Sequence, residues 1–440
     1  MRYMRLRSAL FFLVVLCAAC GGGGGAAAPS IGTAAPSPSA STPQATPPNG
    51  PSSRCSGATP SQSSAGMVPQ TPALSVPSGL RIETVAQISA ARELAALPNG
   101  DLLVGTLGSN VEIVRNAEAA GAAGAPQTFA TLGDSEAQGV AFDASTCTIY
   151  VGTENHVWSI PYKDGDAKAE SITRIADVRT GPLANPGDGD VHTTTSVAAT
   201  NGTVYASMGS SCNGCTGETD ATRAAIWQMS GDGSHMKLVA KRIRNAIALA
   251  VDPASEHLWA GGAGQDDLPQ SHPYEFMDDV SAHAGAAAAD YGWPYCEENH
   301  ILYNSGPGAP VNCSTIVVPL VEFHAYVTHI GAAFYPMQET GVHALPQGYR
   351  GALLVTSHGS WHAVNGCTFA PEVDFVPMNG DTPQVAVNWG DPTKQWHALV
   401  SGFQPGCTQR AGRPTGITIG AQGSVFVADD QAGVIYRIRP

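Results

Sequence analysis

Apolar and polar residues alternate with period two in short runs along most of this chain, and the runs are punctuated by Gly, Asn, Asp and Pro. From residue 90 onward a strand pair recurs: a small-residue turn, an alternating apolar strand, a polar turn, and a second strand ending near an aromatic or basic residue. Six copies are read. The first three are Leu97–Val104 with Val111–Arg115, Thr148–Gly152 with His156–Pro161, and Asn201–Tyr205 with Ala225–Met229. The others are His257–Ala260 with Tyr274–Met277, Gly351–Val355 with Val373–Met378, and Gly423–Val427 with Val434–Ile438. Further apolar runs precede the first strands, such as Gly139–Phe142, Ala246–Val251, Ile330–Phe334 and Thr415–Ile419, making three to four strands per unit.

This pattern predicts an all-β, six-bladed β-propeller over residues 67–440, with a pair of β-sandwiches as the alternative. A closed radial array leaves no long sheet edge exposed, and the chain shows no helical periodicity. About 370 residues in six units gives roughly 60 each, against about 40 to 45 for a bare blade. Several loops are therefore insertions, expected on one face around a central channel.

The N-terminus has a different texture. Arg2, Arg5 and Arg7 precede an apolar run, Ala9–Ala19, of eleven residues, which is too short to cross a bilayer as a helix and reads as a cleaved leader over residues 1–19. The run ends Cys17-Ala18-Ala19-Cys20 and five glycines follow, a sequence similar to a bacterial lipobox with Cys20 as the lipidated residue. An ordinary secreted leader is the alternative. Residues 20–66 read as a low-complexity Gly/Ala/Pro/Ser tether unable to build a core. The expected location is outside the cytoplasm, lipid-anchored to the outer membrane and facing the periplasm. The anchor is the only expected membrane contact.

Composition narrows the partners. The formal charge of -14 becomes -17 once the three arginines of the leader are removed, and such a surface repels phosphate backbones, so nucleic acid is not expected. Beyond Cys17 and Cys20, eight cysteines remain in an exported chain, which reads as disulfides. Cys296 with Cys313 and Cys367 with Cys407 each bracket a loop-rich stretch. Cys212-Asn213-Gly214-Cys215 reads as a small disulfide ring, with a redox dithiol or half a zinc site as alternatives.

Candidate chemistry lies in the long loops. His192, ahead of an apolar strand, has the side chain of a general base, although spacing alone fits an ordinary hydrogen-bonded histidine equally well. Arg244-Asn245 and Arg413 offer guanidinium forks for a carboxylate, or solvated charge. Gly264, Gln265, Asp266 and Asp267 head an oxygen-rich loop that reads as a calcium site or a plain acidic loop. His358-Gly359-Ser360-Trp361 can set an imidazole or indole against a planar ligand, or simply pack.

Taken together and in order, these motifs resemble a known family. His192 before a strand ending Ser210-Ser211-Cys212-x-x-Cys215, then Arg244-Asn245, Asp266-Asp267-Leu268-Pro269, Tyr291-Gly292-Trp293-Pro294-Tyr295-Cys296, His358-Gly359-Ser360-Trp361 and Gly412-Arg413-Pro414 look like the pyrroloquinoline quinone (PQQ)-dependent sugar dehydrogenases. The branch is similar to L-sorbosone dehydrogenase and related to soluble glucose dehydrogenase. The resemblance spans about residues 75–440 and implies PQQ and calcium as cofactors and a small sugar as substrate. It also implies His192 as the base, and Arg244, Asn245, Arg413, His358 and Trp361 as cofactor contacts. No C-x-x-C-H haem motif occurs, so electrons are expected to leave to a separate acceptor, a quinone or cytochrome.

The chain departs from the family pattern at named places. Thr195 stands where the family has an arginine, His362-Ala363 where it has Asn-Arg, and Glu372 at a basic position; the loop ahead of Asp266 is shorter. Two further readings therefore stand beside the dehydrogenase: a propeller that binds carbohydrate or another ligand without redox turnover, and a calcium-dependent lactonase.

Overall fold

In the computed structural model, which describes residues 55–59, 64–268, 271–306, 308–310 and 312–440, the recurring strand pairs form six antiparallel sheets of four strands arranged as propeller blades, the third extended by a short fifth strand, Ala289–Asp290, that pairs parallel to Lys237–Lys241. Cys20 and the leader lie outside the described residues.

The innermost strands are rich in Ala, Gly, Thr and Ser because six of them converge at the axis. They are Ala91–Ala96, Gly139–Asp143, Thr195–Thr200, Ala246–Val251, His329–Phe334 and Pro414–Ile419, and each packs beside the next around a closed ring. The approach is close enough to demand glycine in places. A Cβ added at Gly331 would lie 2.6 Å from the Thr415 carbonyl oxygen, and one at Gly416 would overlap the Arg92 carbonyl. Buried polar side chains stitch the ring as well: Thr415 Oγ1 donates to the Ala91 carbonyl at 3.0 Å, and Gln138 Nε2 to the Thr195 carbonyl at 2.9 Å.

Outward from the ring, an apolar layer fills the space between each pair of adjacent blades. Leu103 and Ile113 of blade 1 meet Ile149 and Val151 of blade 2, and Trp259 of blade 4 meets Leu353 and Val355 of blade 5. Burial of this kind contributes roughly 25 cal/mol per Å² of apolar surface removed from water.

Blade 6 is completed from the other end of the chain. Its strands Pro414–Ile419, Val425–Asp429 and Val434–Arg439 take Arg81–Gln87 as their outermost member, paired from Arg81 opposite Arg439 to Gln87 opposite Val434 with one bulge between Thr84 and Ala86. Glu83 fixes the junction by accepting from Arg437 at 2.8 Å and Arg439 at 3.0 Å. This strand precedes the repeats read from residue 90, and its partner is too far along the chain to signal it.

Packing also begins before residue 67. Cys55 is buried and disulfide-bonded to Cys147, the Gly57 amide donates to Asp164 at 2.7 Å, and Ala65 bridges to Gly124. The sequence reading placed these residues in the tether because polar, small residues cannot build a core alone. A covalent link to blade 2 supplies what their composition lacks. The other three disulfides join Cys212 to Cys215, Cys296 to Cys313 and Cys367 to Cys407, as the spacing suggested.

The Cys55–Cys147 link spans 92 residues of sequence; disulfides typically contribute about 2–4 kcal/mol, and the chain-entropy model puts a loop of that length at ~4.6 kcal/mol. Replacing both cysteines by serine is expected to lower the urea midpoint accordingly, with a steeper transition because the unfolded chain without the cross-link exposes more surface. An unaltered midpoint would show that the N-terminal segment adds nothing to the propeller.

Candidate functional site

The inner strands all start at the same mouth of the channel, and the loops that follow the second strands return to it. His192, Asn245, Thr328 and Arg413 each stand one to three residues ahead of an inner strand. The loops after Met208, Gly262 and Ser357 carry Asn213, Asp266 and Trp361 to the same place. Together they line a cleft of about 450 Å³, within the ~300–1,000 Å³ usual for small-molecule sites.

His192 is held from one side only. Its Nδ1 lies 2.7 Å from the Ser210 carbonyl, an acceptor with no proton to give, so Nδ1 carries the ring proton and Nε2 keeps its lone pair. The Ser210 hydroxyl, which lies 3.2 Å from the same Nδ1, donates to the Cys212 carbonyl at 2.7 Å, tying the imidazole to the Cys212–Cys215 ring. Asp190 accepts from the His192 amide at 3.1 Å and pairs with the buried Arg223 guanidinium, which fixes the backbone. Gly209 lets the site close, because a Cβ there would lie 2.6 Å from His192 Cβ and would overlap the Asn245 amide oxygen. Burial holds the imidazole pKa well below its ordinary value, and the positive charge of Arg244 depresses it further, against the opposing pull of the Ser210 bond. The ring is therefore a neutral acceptor at physiological pH.

Arg244 is buried and already well partnered. Nε donates to the Asn213 carbonyl at 3.0 Å and Nη2 to the Asn213 side chain at 3.0 Å and to Asp266 at 2.9 Å, while Nη1 reaches the Ala263 carbonyl at 3.3 Å. One Nη1 proton is left for a ligand. Arg413 is gripped by the loop after Ser357, through Nε to the His358 carbonyl at 2.9 Å and Nη2 to the Gly359 carbonyl at 3.0 Å. Burial, with repulsion from Arg410, brings its pKa down to about 10, which leaves it charged at neutral pH.

The remaining expected residues divide. Trp361 stands at the rim, 71% exposed, with its ring 4.2 Å from that of His362. His358 lies behind Arg413 rather than on the cleft wall, its Nε2 3.0 Å from Asp430, and burial lowers its pKa to about 4. Asp266 is spanned by Arg244 and by His362 Nε2 at 3.0 Å, so both its carboxylate oxygens are engaged by protein groups and its charge is paired with the Arg244 guanidinium. Gln265 is buried with Oε1 unpartnered, Asp267 is exposed at the cleft, and the Gly264 amide donates to Glu275 at 3.2 Å. Glu372, where the family has a basic residue, lines a different cavity, and Thr195 is wholly buried in the ring.

Two residues central to the cleft were not singled out from the sequence. Asn213 holds Arg244 with both its backbone and side chain. Glu275 is buried on the cleft wall, accepts from the Gly264 and Thr328 amides, and has its pKa pushed up to about 8 by burial. An acid inside the apolar pattern of Tyr274–Met277 was the available signal.

The fold and cleft define a six-bladed propeller with a neutral imidazole beside guanidinium groups at one channel mouth. Solved structures share that fold. The calcium structure of a Trichoderma reesei carbohydrate-active enzyme of family AA12 superposes with a TM-score of 0.69 at 17% identity, covering 84% of this chain and 98% of that one. The holo form of the pyranose dehydrogenase PQQ domain from Coprinopsis cinerea gives 0.68 at 17% identity, covering 84% and 98%. The soluble aldose sugar dehydrogenase from Escherichia coli, in its apo form, gives 0.56 at 14% identity, covering 82% and 99%. No family model matches the chain. A curated, uncharacterized protein from Borreliella burgdorferi is 23% identical over 207 residues, 46% of this chain and 48% of its own length; the match thus spans about half of that relative.

The tautomer is directly observable. Imidazole nitrogen NMR is expected to show His192 protonated on Nδ1 and neutral at pH values well below the ordinary imidazole pKa of about 6.5. Titration at or above that value would contradict the burial and Arg244 argument.

Proposed function

We propose that this protein is a PQQ-dependent dehydrogenase of an aldose or related sugar aldehyde, with His192 as the base. The observation that carries the proposal is the one-sided anchoring of His192, which leaves Nε2 as a proton acceptor on a cleft also lined by Arg244, Asn245 and Arg413. The fold shared with the AA12 enzyme and the PQQ domain supports it.

The residues suit an acceptor-rich, planar tricarboxylate. The spare Nη1 proton of Arg244 and the Arg413 guanidinium on the cleft wall are the donors such a group would take. Arg244, Asn245 and Arg413 would hold the cofactor, with Trp361 at the rim and His358 acting through the carbonyl that grips Arg413. Among the described residues Gln265 Oε1 has no donor, and it and the Asp267 carboxylate would contribute to a calcium shell of six to eight oxygens. Bound PQQ supplies a two-electron quinone acceptor for the hydride.

The chain's own part is proton transfer and orientation. His192 Nε2 takes the proton of the sugar's anomeric hydroxyl as the carbon–hydrogen bond breaks. Burial disfavours the resulting imidazolium, so the proton passes on readily. The positive field of Arg244 at His192 would be offset by the carboxylates of bound PQQ, raising the basicity of the imidazole toward the working range. Electrons then leave to a separate acceptor. We place the protein outside the cytoplasm, anchored through Cys20 to the outer membrane; Cys20→Ser should move it from the membrane fraction to the soluble one. Because most donors of Arg244 are engaged by Asn213, Ala263 and Asp266, a carbohydrate-binding propeller without turnover is the second reading.

Protein reconstituted with PQQ and calcium is expected to reduce a dye in the presence of an aldose. His192→Gln should slow this by about 10²- to 10⁴-fold, the usual loss of a general base, while PQQ binding persists. An unchanged rate would move the role to another residue.

Arg244→Lys and Arg413→Lys should each weaken PQQ about ten- to a hundredfold, since a charge-assisted bond is worth roughly 1.5–3 kcal/mol. Unchanged affinity in both would place the carboxylates elsewhere.

A further inference from the structure

A second cavity, of about 280 Å³, lies between blades 4 and 5 and shares no lining residue with the His192 cleft. Its walls are aromatic. Phe323, at the end of the outer strand of blade 4, stacks on Trp396 with ring centroids 5.6 Å apart and planes inclined 19°. His324 stacks on Phe369 at 4.8 Å and 14°, and meets Trp396 edge-on at 5.8 Å. His324, Phe369, Glu372 and Trp396 are half-buried, so the cavity opens to solvent.

Two carboxylates complete the lining. Glu372 and Asp374 leave the same face of the third strand of blade 5, as residues two apart in a strand must. Asp374 is 2% exposed; its Oδ2 accepts from the Ser357 hydroxyl at 3.1 Å, while Oδ1 is buried without any partner. Neither acid has an ion pair with a basic side chain among the described residues. A buried carboxylate oxygen left without a donor is costly unless a ligand supplies one.

We propose that this cavity binds a small protonated alkylamine, its N–H groups donating to Asp374 and Glu372 and its alkyl portion lying against Phe323, Phe369 and Trp396. Aromatic faces attract a cation through their quadrupole and accept its hydrocarbon part, a combination that a bare inorganic ion does not use. The unpartnered acceptor Oδ1 calls for an N–H donor, which a quaternary ammonium lacks. Burial, with repulsion from Glu372, pushes the Asp374 carboxyl well above the usual range, and burial raises Glu372. An entering ammonium ion favours their ionised forms. The site is independent of the dehydrogenase reading, because no residue of the cleft takes part.

The test is isothermal titration of the full chain with propylammonium chloride, beside the neutral alcohol 1-butanol and calcium chloride. Saturable binding of one propylammonium, little response to 1-butanol, and affinity reduced about tenfold or more in Asp374→Asn and Glu372→Gln are expected. If Asp374→Asn does not fold, the half-buried Glu372→Gln, checked by its melting curve, decides alone. Absence of saturable binding, equal binding of 1-butanol, unaltered affinity in the folded variants, or displacement of propylammonium by equimolar calcium would each overturn the assignment.

Discussion

Everything in this molecule hangs on the mutual approach of six inner strands at one axis. Close approach excludes large side chains from the ring, so Gly331 and Gly416 sit where a Cβ would strike the neighbouring backbone. Hydrogen bonds from Thr415 and Gln138 then bind one blade to the next across the ring. Such a ring is stable only when closed. Arg81–Gln87 closes it by joining Val434–Arg439, so the two ends of the propeller form one sheet.

Closure also dictates where chemistry can occur. Residues just ahead of each inner strand are delivered to one mouth of the channel, and long loops from the second strands roof them. His192, Asn245, Thr328 and Arg413 come from blades 3, 4, 5 and 6, yet share a cleft. The Cys212–Cys215 ring serves this arrangement by presenting Asn213 to Arg244 and the Cys212 carbonyl to Ser210, which in turn orients His192.

The blades were legible in the sequence because alternation and turn residues are local signals. Thr148–Gly152 and His156–Pro161 agree with the observed strands to the residue. The strand Arg81–Gln87 and the packed segment around Cys55 were not legible, since the partner of each lies far along the chain. At the cleft, loop motifs located His192, Arg244, Asn245 and Arg413, but residue type could not reveal how donors are shared. Asp266 looks like a metal ligand in sequence and is an ion-pair partner in space. His358 looks like a channel imidazole and lies behind Arg413 with its Nε2 against Asp430. Glu372, which occupies a basic position of the resembled family, faces a separate aromatic cavity instead.

The central claim is that the His192 cleft receives an anionic quinone between two guanidinium groups. Crystals of the protein grown with PQQ and calcium test it most directly. The account predicts PQQ density in the cleft, with carboxylates on Arg244 and Arg413 and His192 Nε2 directed at the space left for substrate. A cleft without PQQ at saturating concentration, or PQQ bound elsewhere on the propeller, would contradict it.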